Sequence, residues 1–195
     1  MWDERYSNQT YAYGIKPNDF LVEMANSLPK GKVLCLAEGE GRNAVWLAQQ
    51  GFEVTAVDAS IVGLNKAEKL AELKKVSITT IQSDLKDFDM GINQWDAIVS
   101  IFCHLPPKLR QSVHQNCVKG LKPGGVILIE AYTPSQLKYK TGGPPNAEMM
   151  MDSRVLKEEL KGLEFMYLQE KVREIHEGEF HYGEGAVVQA VARKP

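Results

Sequence analysis

Residues 33–44 read Val33-Leu34-Cys35-Leu36-Ala37-Glu38-Gly39-Glu40-Gly41-Arg42-Asn43-Ala44. Val33 to Ala37 is an unbroken apolar run, the pattern of a parallel strand buried on both faces. Glycines alternate with acids directly after it. They let the backbone pass close under a ligand and take positive φ. Beyond them Ala44, Leu47 and Ala48 fall on one helical face, and Gly51 ends the helix. Strand, glycine turn and helix in that order open a doubly wound sheet. Ligands of such sheets sit beyond the carboxyl ends of the strands.

Working outward, a helix opens at Pro17-Asn18 and runs through Phe20, Leu21, Met24 and Leu28 before Gly31 stops it. Residues 54–57 form a second strand closing on Asp58, and residues 61–75 a helix with Leu64, Ala67 and Ala71 in a stripe. Residues 78–81 and 95–102 are further strands. Residues 106–121 are a helix, and Lys122-Pro123-Gly124-Gly125 turns into a fifth strand at 126–131. Alternating strands and helices predict a parallel sheet covered on both faces. The last third differs. Residues 133–150 read as a long loop, Asp152 or Ser153 caps a helix running to Gly162, and residues 164–174 and 186–193 form an antiparallel hairpin with a long connection. The expected fold is α/β, one domain over 1–195, with a doubly wound, mostly parallel seven-stranded sheet and a C-terminal antiparallel hairpin.

Bulk properties narrow the classes. The chain has 195 residues, enough for one α/β domain with a sizeable core. It is 44% hydrophobic and 25% charged, which argues against disorder. A net charge of −2 suggests no grip on nucleic acid phosphates. No apolar run approaches a membrane span, and the start lacks a signal-peptide pattern. Cys35, Cys103 and Cys117 form no CxxC pair, so a reducing, cytoplasmic location without structural zinc or disulfides is expected.

Three strand ends carry cofactor chemistry. Glu38-Gly39-Glu40-Gly41 follows the first. Asp58 follows the second, where a carboxylate can accept both ribose hydroxyls. Asp84 follows the third, where it can accept from an adenine amine while Leu85 offers a backbone amide. The turn also fits the dinucleotide pattern GxGxxG/A, so a nicotinamide cofactor is the competitor. Electrostatics separates the two. A pyrophosphate on the helix N-terminus would meet Glu38 and Glu40 at close range, at a Coulombic cost. S-adenosylmethionine (SAM) has no phosphate, and its sulfonium and ammonium tolerate carboxylates.

With these residues in place, the chain resembles the class I SAM-dependent methyltransferases, and within them the small members related to tellurite-resistance and thiopurine methyltransferases. The resemblance rests on the glycine turn with Arg42-Asn43 and Trp46-Leu47-Ala48, on Val57-Asp58-Ala59-Ser60, Ser83-Asp84-Leu85 and Leu121-Lys122-Pro123-Gly124-Gly125, and on the terminal hairpin. It implies SAM as methyl donor. The implied cofactor-binding set is Glu38, Gly39, Gly41, Asn43, Asp58, Ala59, Ser60, Asp84, Leu85 and Ile101. One departure is visible: the family pattern has an acid at Cys35 and a glycine at Ala37. Glu38 is then the acid available to the methionine ammonium.

Beside these stand plainer readings. Asp58 also suits a helix cap, and Asp84 a turn. Cys35 and Cys117 suit inert core positions. His104, at the rim after the fourth strand, is a candidate base or a loop residue. Tyr11 and Tyr13 are candidates for a lid over the cofactor, or simply pack the N-terminal arm. His114 reads as a solvated helix residue, and His176 and His181 as surface residues near the hairpin. Arg42 suits an anionic substrate or a local carboxylate. No residue set announces a catalytic constellation, which points to a thiol, oxyanion or similar small-molecule acceptor. A SAM-binding module without catalysis is the alternative, with a nicotinamide-dependent oxidoreductase behind it. The sequence leaves the oligomeric state open.

Overall fold

The computed structural model describes residues 2–195, and Met1 lies outside them. Its elements in chain order are α1 (Trp2–Tyr6), α2 (Asp19–Met24), β1 (Lys32–Leu36), α3 (Arg42–Gln49), β2 (Glu53–Asp58), α4 (Ile61–Leu73), β3 (Thr79–Gln82), β4 (Trp95–Ile101), α5 (Pro107–Gly120), β5 (Leu121–Tyr132), α6 (Ser153–Glu159), β6 (Glu164–Glu177) and β7 (His181–Arg193). The seven strands make one sheet in the order β3-β2-β1-β4-β5-β7-β6. β1 to β5 pair in parallel, and β7 enters antiparallel between β5 and β6. The expected α/β sheet with its terminal hairpin is the observed one. The order reverses between β1 and β4, so the crevice beyond their carboxyl ends is where a ligand of this topology belongs.

β1 shows why the apolar run forms a central strand. Val33 and Cys35 join the core on one face with Phe20, Leu47 and Leu64. Leu34 and Leu36 join the core on the other with Val113, Cys117, Leu156 and Leu160. Successive residues of a strand point to opposite faces, so only a continuous apolar run serves both layers. Polar side chains fix the helix starts: Asn18 Oδ1 accepts from Leu21 N, Ser60 Oγ from Gly63 N and Asp152 Oδ1 from Val155 N.

The sequence expectations need correction in three places. The hairpin has no long connection: β6 runs to Glu177, β7 resumes at His181, and residues 178–180 join them. Gly183 and Gly185 lie inside β7, and a Cβ on Gly185 would stand 2.6 Å from Ile175 Cδ1. That glycine records close packing within a strand rather than a loop. β5 begins at Leu121, with Trp95 paired to Leu121 before a register shift, so the Lys122–Gly125 turn is an irregularity inside the strand. His114 is not solvated. It is buried between α5 and α6, with Nδ1 2.7 Å from Glu159 Oε2, while Arg110 forks onto the same carboxylate at 3.0–3.1 Å. Arg110 also donates to the carbonyls of Glu148 and Met150, so this cluster anchors the end of the 133–150 segment.

Gly41 has φ +86°, and a Cβ there would lie 2.5 Å from Ala67 Cβ on α4. Gly41→Ala is therefore expected to destabilise the fold by at least about 1–2 kcal/mol, the cost of a left-handed alanine, with the clash in addition. A thermal melt reads this directly; an unchanged Tm would contradict it.

Candidate active site

The turn after β1 is built by left-handed residues: Ala37 (φ +49°), Gly39 (φ +61°) and Gly41 (φ +86°). Ala37 takes, with a side chain, a conformation that usually belongs to glycine. The turn brings Glu38 over the start of α3. Glu38 Oε1 accepts from Asn43 N at 3.0 Å and Ala44 N at 2.8 Å. Burial outweighs these bonds and pushes its carboxyl up to about 7. The N–H groups a pyrophosphate would use are thus taken by a protein carboxylate. Glu40 plays a different part from the one its sequence position suggests. It is buried and turned to the N-terminal arm, accepting from Ala12 N at 2.7 Å and pairing with Lys66 Nζ. Lys66 also donates to the carbonyls of Asn8 and Thr10. Arg42 turns away from the glycine turn and meets Glu177 at 2.7 Å.

Asp58 stands buried at the end of β2. Its Oδ2 accepts from Gly39 N and its Oδ1 from Ser60 N, both at 2.8 Å, so one carboxylate ties the ends of β1 and β2 together. Burial raises its pKa. Ser60 Oγ donates to Asp3 on α1, and a Cβ on Gly39 would lie 2.6 Å from the Tyr6 hydroxyl. α1 therefore lies across this carboxyl end. Asp84, at the end of β3, is exposed. The backbone N–H of Lys86, helped by its ammonium at 3.3 Å, holds the Asp84 carboxyl below the usual range. Leu85, next to Asp84, is buried in one core of the sheet and Ile101, at the end of β4, in the other, while Ala59 is exposed. The two tyrosine candidates separate. Tyr11 donates to Lys66 O against α4, whereas Tyr13 reaches a ring cluster.

That cluster lies beyond β4 and β5. Phe102, left-handed at φ +52°, has its ring 4.6 Å from Tyr132 and 4.7 Å from His181. Tyr13 is 4.6 Å from His181. His104 Nε2 accepts from Tyr132 N, and burial drives its pKa down to about 3, so the ring is neutral. Tyr132 and His181 are functional candidates that the sequence reading passed over or placed on the surface. The only signal for His181 was its nearness to Glu177 across a short hairpin. His176, by contrast, is exposed.

The donor set fits SAM. Acids stand at the ends of β1, β2 and β3, a carboxylate satisfies the helix N-terminus, and Arg42, the cation of the turn, is engaged elsewhere. Fold and site resemble those of the class I SAM-dependent methyltransferases. Residues 33–125 match the family described as Methyltransferase domain. The chain is 27% identical over 185 residues to thiopurine S-methyltransferase of Legionella pneumophila (strain Corby), covering 83% of this chain and 80% of that one. It is 27% identical over 164 residues to ubiquinone biosynthesis O-methyltransferase of Rickettsia conorii, covering 72% of this chain but only 56% of that protein's length. The crystal structure of TehB from Haemophilus influenzae superposes with a TM-score of 0.76 at 23% identity, covering 100% of this chain and 66% of that one. Residues 33–125 thus carry a methyltransferase domain, the fold is that of the class I SAM-dependent methyltransferases, and SAM is the cofactor.

Glu38 gives the site a pH signature. A carboxyl near 7 is mostly protonated at pH 6 and mostly ionised at pH 8, and only the ionised form attracts the ammonium. Affinity for S-adenosylhomocysteine is expected to rise about tenfold from pH 6 to 8. Calorimetry on Glu38→Gln should lose that rise; a slope persisting in the variant would overturn the assignment.

Proposed function

We propose that the chain transfers the methyl group of SAM to a small-molecule acceptor, acting as a single cytoplasmic domain. In this reading Asp58 takes the ribose hydroxyls, Asp84 the adenine amine, with the backbone of Leu85 beside the ring, and Glu38 the methionine ammonium. The observation that carries it is the Glu38 plug on α3. It rejects a phosphate and leaves a carboxylate facing the place where a sulfonium compound brings positive charge. The acceptor site is the ring cluster beneath residues 133–150 and the N-terminal arm. The names of the relatives, one an S- and one an O-methyltransferase, support a thiol or hydroxyl acceptor. Three buried free cysteines suit a reducing compartment.

SAM supplies a methyl carbon on a good leaving group, so the chain's main task is alignment. Orientation of this kind can contribute on the order of 7–11 kcal/mol. The left-handed Phe102, the stacked rings and the covering segments provide rigid walls for it.

Calorimetry with SAM and NADH tests the cofactor, and binding of NADH but not SAM would sink the reading. Asp58→Asn, which keeps an acceptor for the turn, should weaken SAM binding at least about tenfold, in line with the 1.5–3 kcal/mol of hydrogen bonds to charged groups. Unchanged affinity would remove Asp58 from the site. Label transfer from methyl-labelled SAM to a panel of thiols, phenols and amines separates an enzyme from a binding module.

A further inference from the structure

Two buried polar atoms of the ring cluster have no hydrogen-bond partner: the Tyr132 hydroxyl and His181 Nδ1. Unpaired buried polar groups are rare because each retains its desolvation cost. Here two lie together. Tyr132 is fully buried, and its ring is 5.3 Å from that of His181, edge to face. Both lie under the 142–143 glycine pair. A Cβ on Gly142 would stand 2.8 Å from both the Tyr132 hydroxyl and His181 Cδ2, and a Cβ on Gly143 would stand 2.8 Å from Tyr132 Cδ2. No side chain could be accommodated there. The cover hangs on Gln136 Nε2 donating to Thr141 and Gly142, on Thr141 donating to Glu184 O, and on Tyr182 N donating to Thr141 O. This segment covers the two unpaired atoms.

His181 has a carboxylate behind it. Glu177 Oε2 is 3.5 Å from Nδ1, too long for a strong bond and close enough to orient the ring. Glu177 is itself fixed by Arg42 at 2.7 Å and by Asn18 Nδ2 at 2.8 Å. The charged or titratable groups around His181 are Glu177 from β6, Arg42 from α3, Arg5 from α1, Tyr13 from the arm, His104 after β4 and Tyr132 from β5. Burial lowers the His181 pKa and the guanidiniums add to that, although Glu177 opposes it. Glu177 is held down at about 2, with Arg42 the foremost favourable partner against its burial. The pair is thus a neutral imidazole beside an ionised carboxylate.

Building on the methyltransferase reading above, we propose that His181, oriented by Glu177, is the general base for a neutral, proton-bearing thiol or hydroxyl acceptor whose reacting atom lies against the Tyr132 hydroxyl. The Nδ1 proton faces Glu177, leaving Nε2 as the base. The acceptor's heteroatom–hydrogen bond breaks, and its proton goes to Nε2. Its electron pair forms the bond to the methyl carbon while the carbon–sulfur pair stays on sulfur. The products are a methylated acceptor and the neutral thioether S-adenosylhomocysteine, and the imidazolium returns its proton to solvent.

Nitrogen NMR of the cofactor-free protein at pH 7 should show His181 neutral with the proton on Nδ1. A charged ring or the Nε2–H tautomer would overturn the proposal. Methyl transfer at pH 7 is then compared for benzyl mercaptan, which carries its proton, and 4-nitrothiophenol, which is already a thiolate. His181→Gln should lower turnover of the first about 100-fold or more and leave the second within a few-fold. Equal losses on both would make His181 a structural residue and refute its role as base. Tyr132→Phe removes an unpaired hydroxyl, so Tm should hold or rise while transfer to both thiols falls; unchanged transfer would exclude it from the site. S-adenosylhomocysteine affinity should be unchanged in both variants. A wild type that binds S-adenosylhomocysteine but methylates neither thiols nor phenols would refute the acceptor class. A wild type that does not bind it would instead sink the cofactor reading on which this proposal rests.

Discussion

Two buried carboxylates, Glu130 and Glu177, join the N-terminal arm, α3 and the C-terminal hairpin beyond the carboxyl ends of β4 and β5. Glu130 is fully buried in β5 and accepts from Asn18 Nδ2, from Arg173 Nε and Nη2, and from Gln189 Nε2. Glu177 takes Arg42 and the other Asn18 Nδ2 hydrogen bond. Asn18 thus joins both acids while its Oδ1 caps α2, and its own N–H donates to Asn43. Replacing such a network with apolar residues is often neutral, but removing one member leaves a buried charge unpaired at about 3–5 kcal/mol. Its value here is positional. It welds the arm, α3 and the hairpin into one wall.

That wall divides the crevice by charge. On the side of β1 to β3 stand acids: Glu38 over α3, Asp58 under α1, and Asp84 at the rim. On the side of β4 and β5 stand neutral rings, with Arg42 and Arg173 tied to carboxylates rather than offered to a ligand. In the proposed function, the positively charged cofactor takes the first side and an uncharged acceptor the second. The left-handed residues Ala37 and Phe102 mark the two strand ends that meet at this boundary, where backbone strain is commonly retained for function.

Much of the fold was legible in the sequence because periodicity survives burial. The continuous run at 33–37 and the glycine turn leave few other architectures. Boundaries failed where glycine meant packing rather than turning, as at Gly185. Residue environments failed where a partner lay far along the chain. His114 looked solvated because Glu159 is 45 residues away. Glu130 drew no notice in the sequence because its partners Asn18 and Arg173 are distant too. The acids at the ends of β1, β2 and β3 were readable since strand ends fix their place. Glu40 was misjudged, because nothing local shows that Lys66 and the Ala12 backbone claim it. Tyr132 and His181 stand out only once their missing partners can be seen.

The most direct test of this account is a crystal structure with S-adenosylhomocysteine bound. The expected result is adenosine between Asp58 and Asp84, the ammonium at Glu38, and the sulfur facing the Phe102–Tyr132–His181 rings. A ligand seated elsewhere, or a sulfur turned away from those rings, would contradict it.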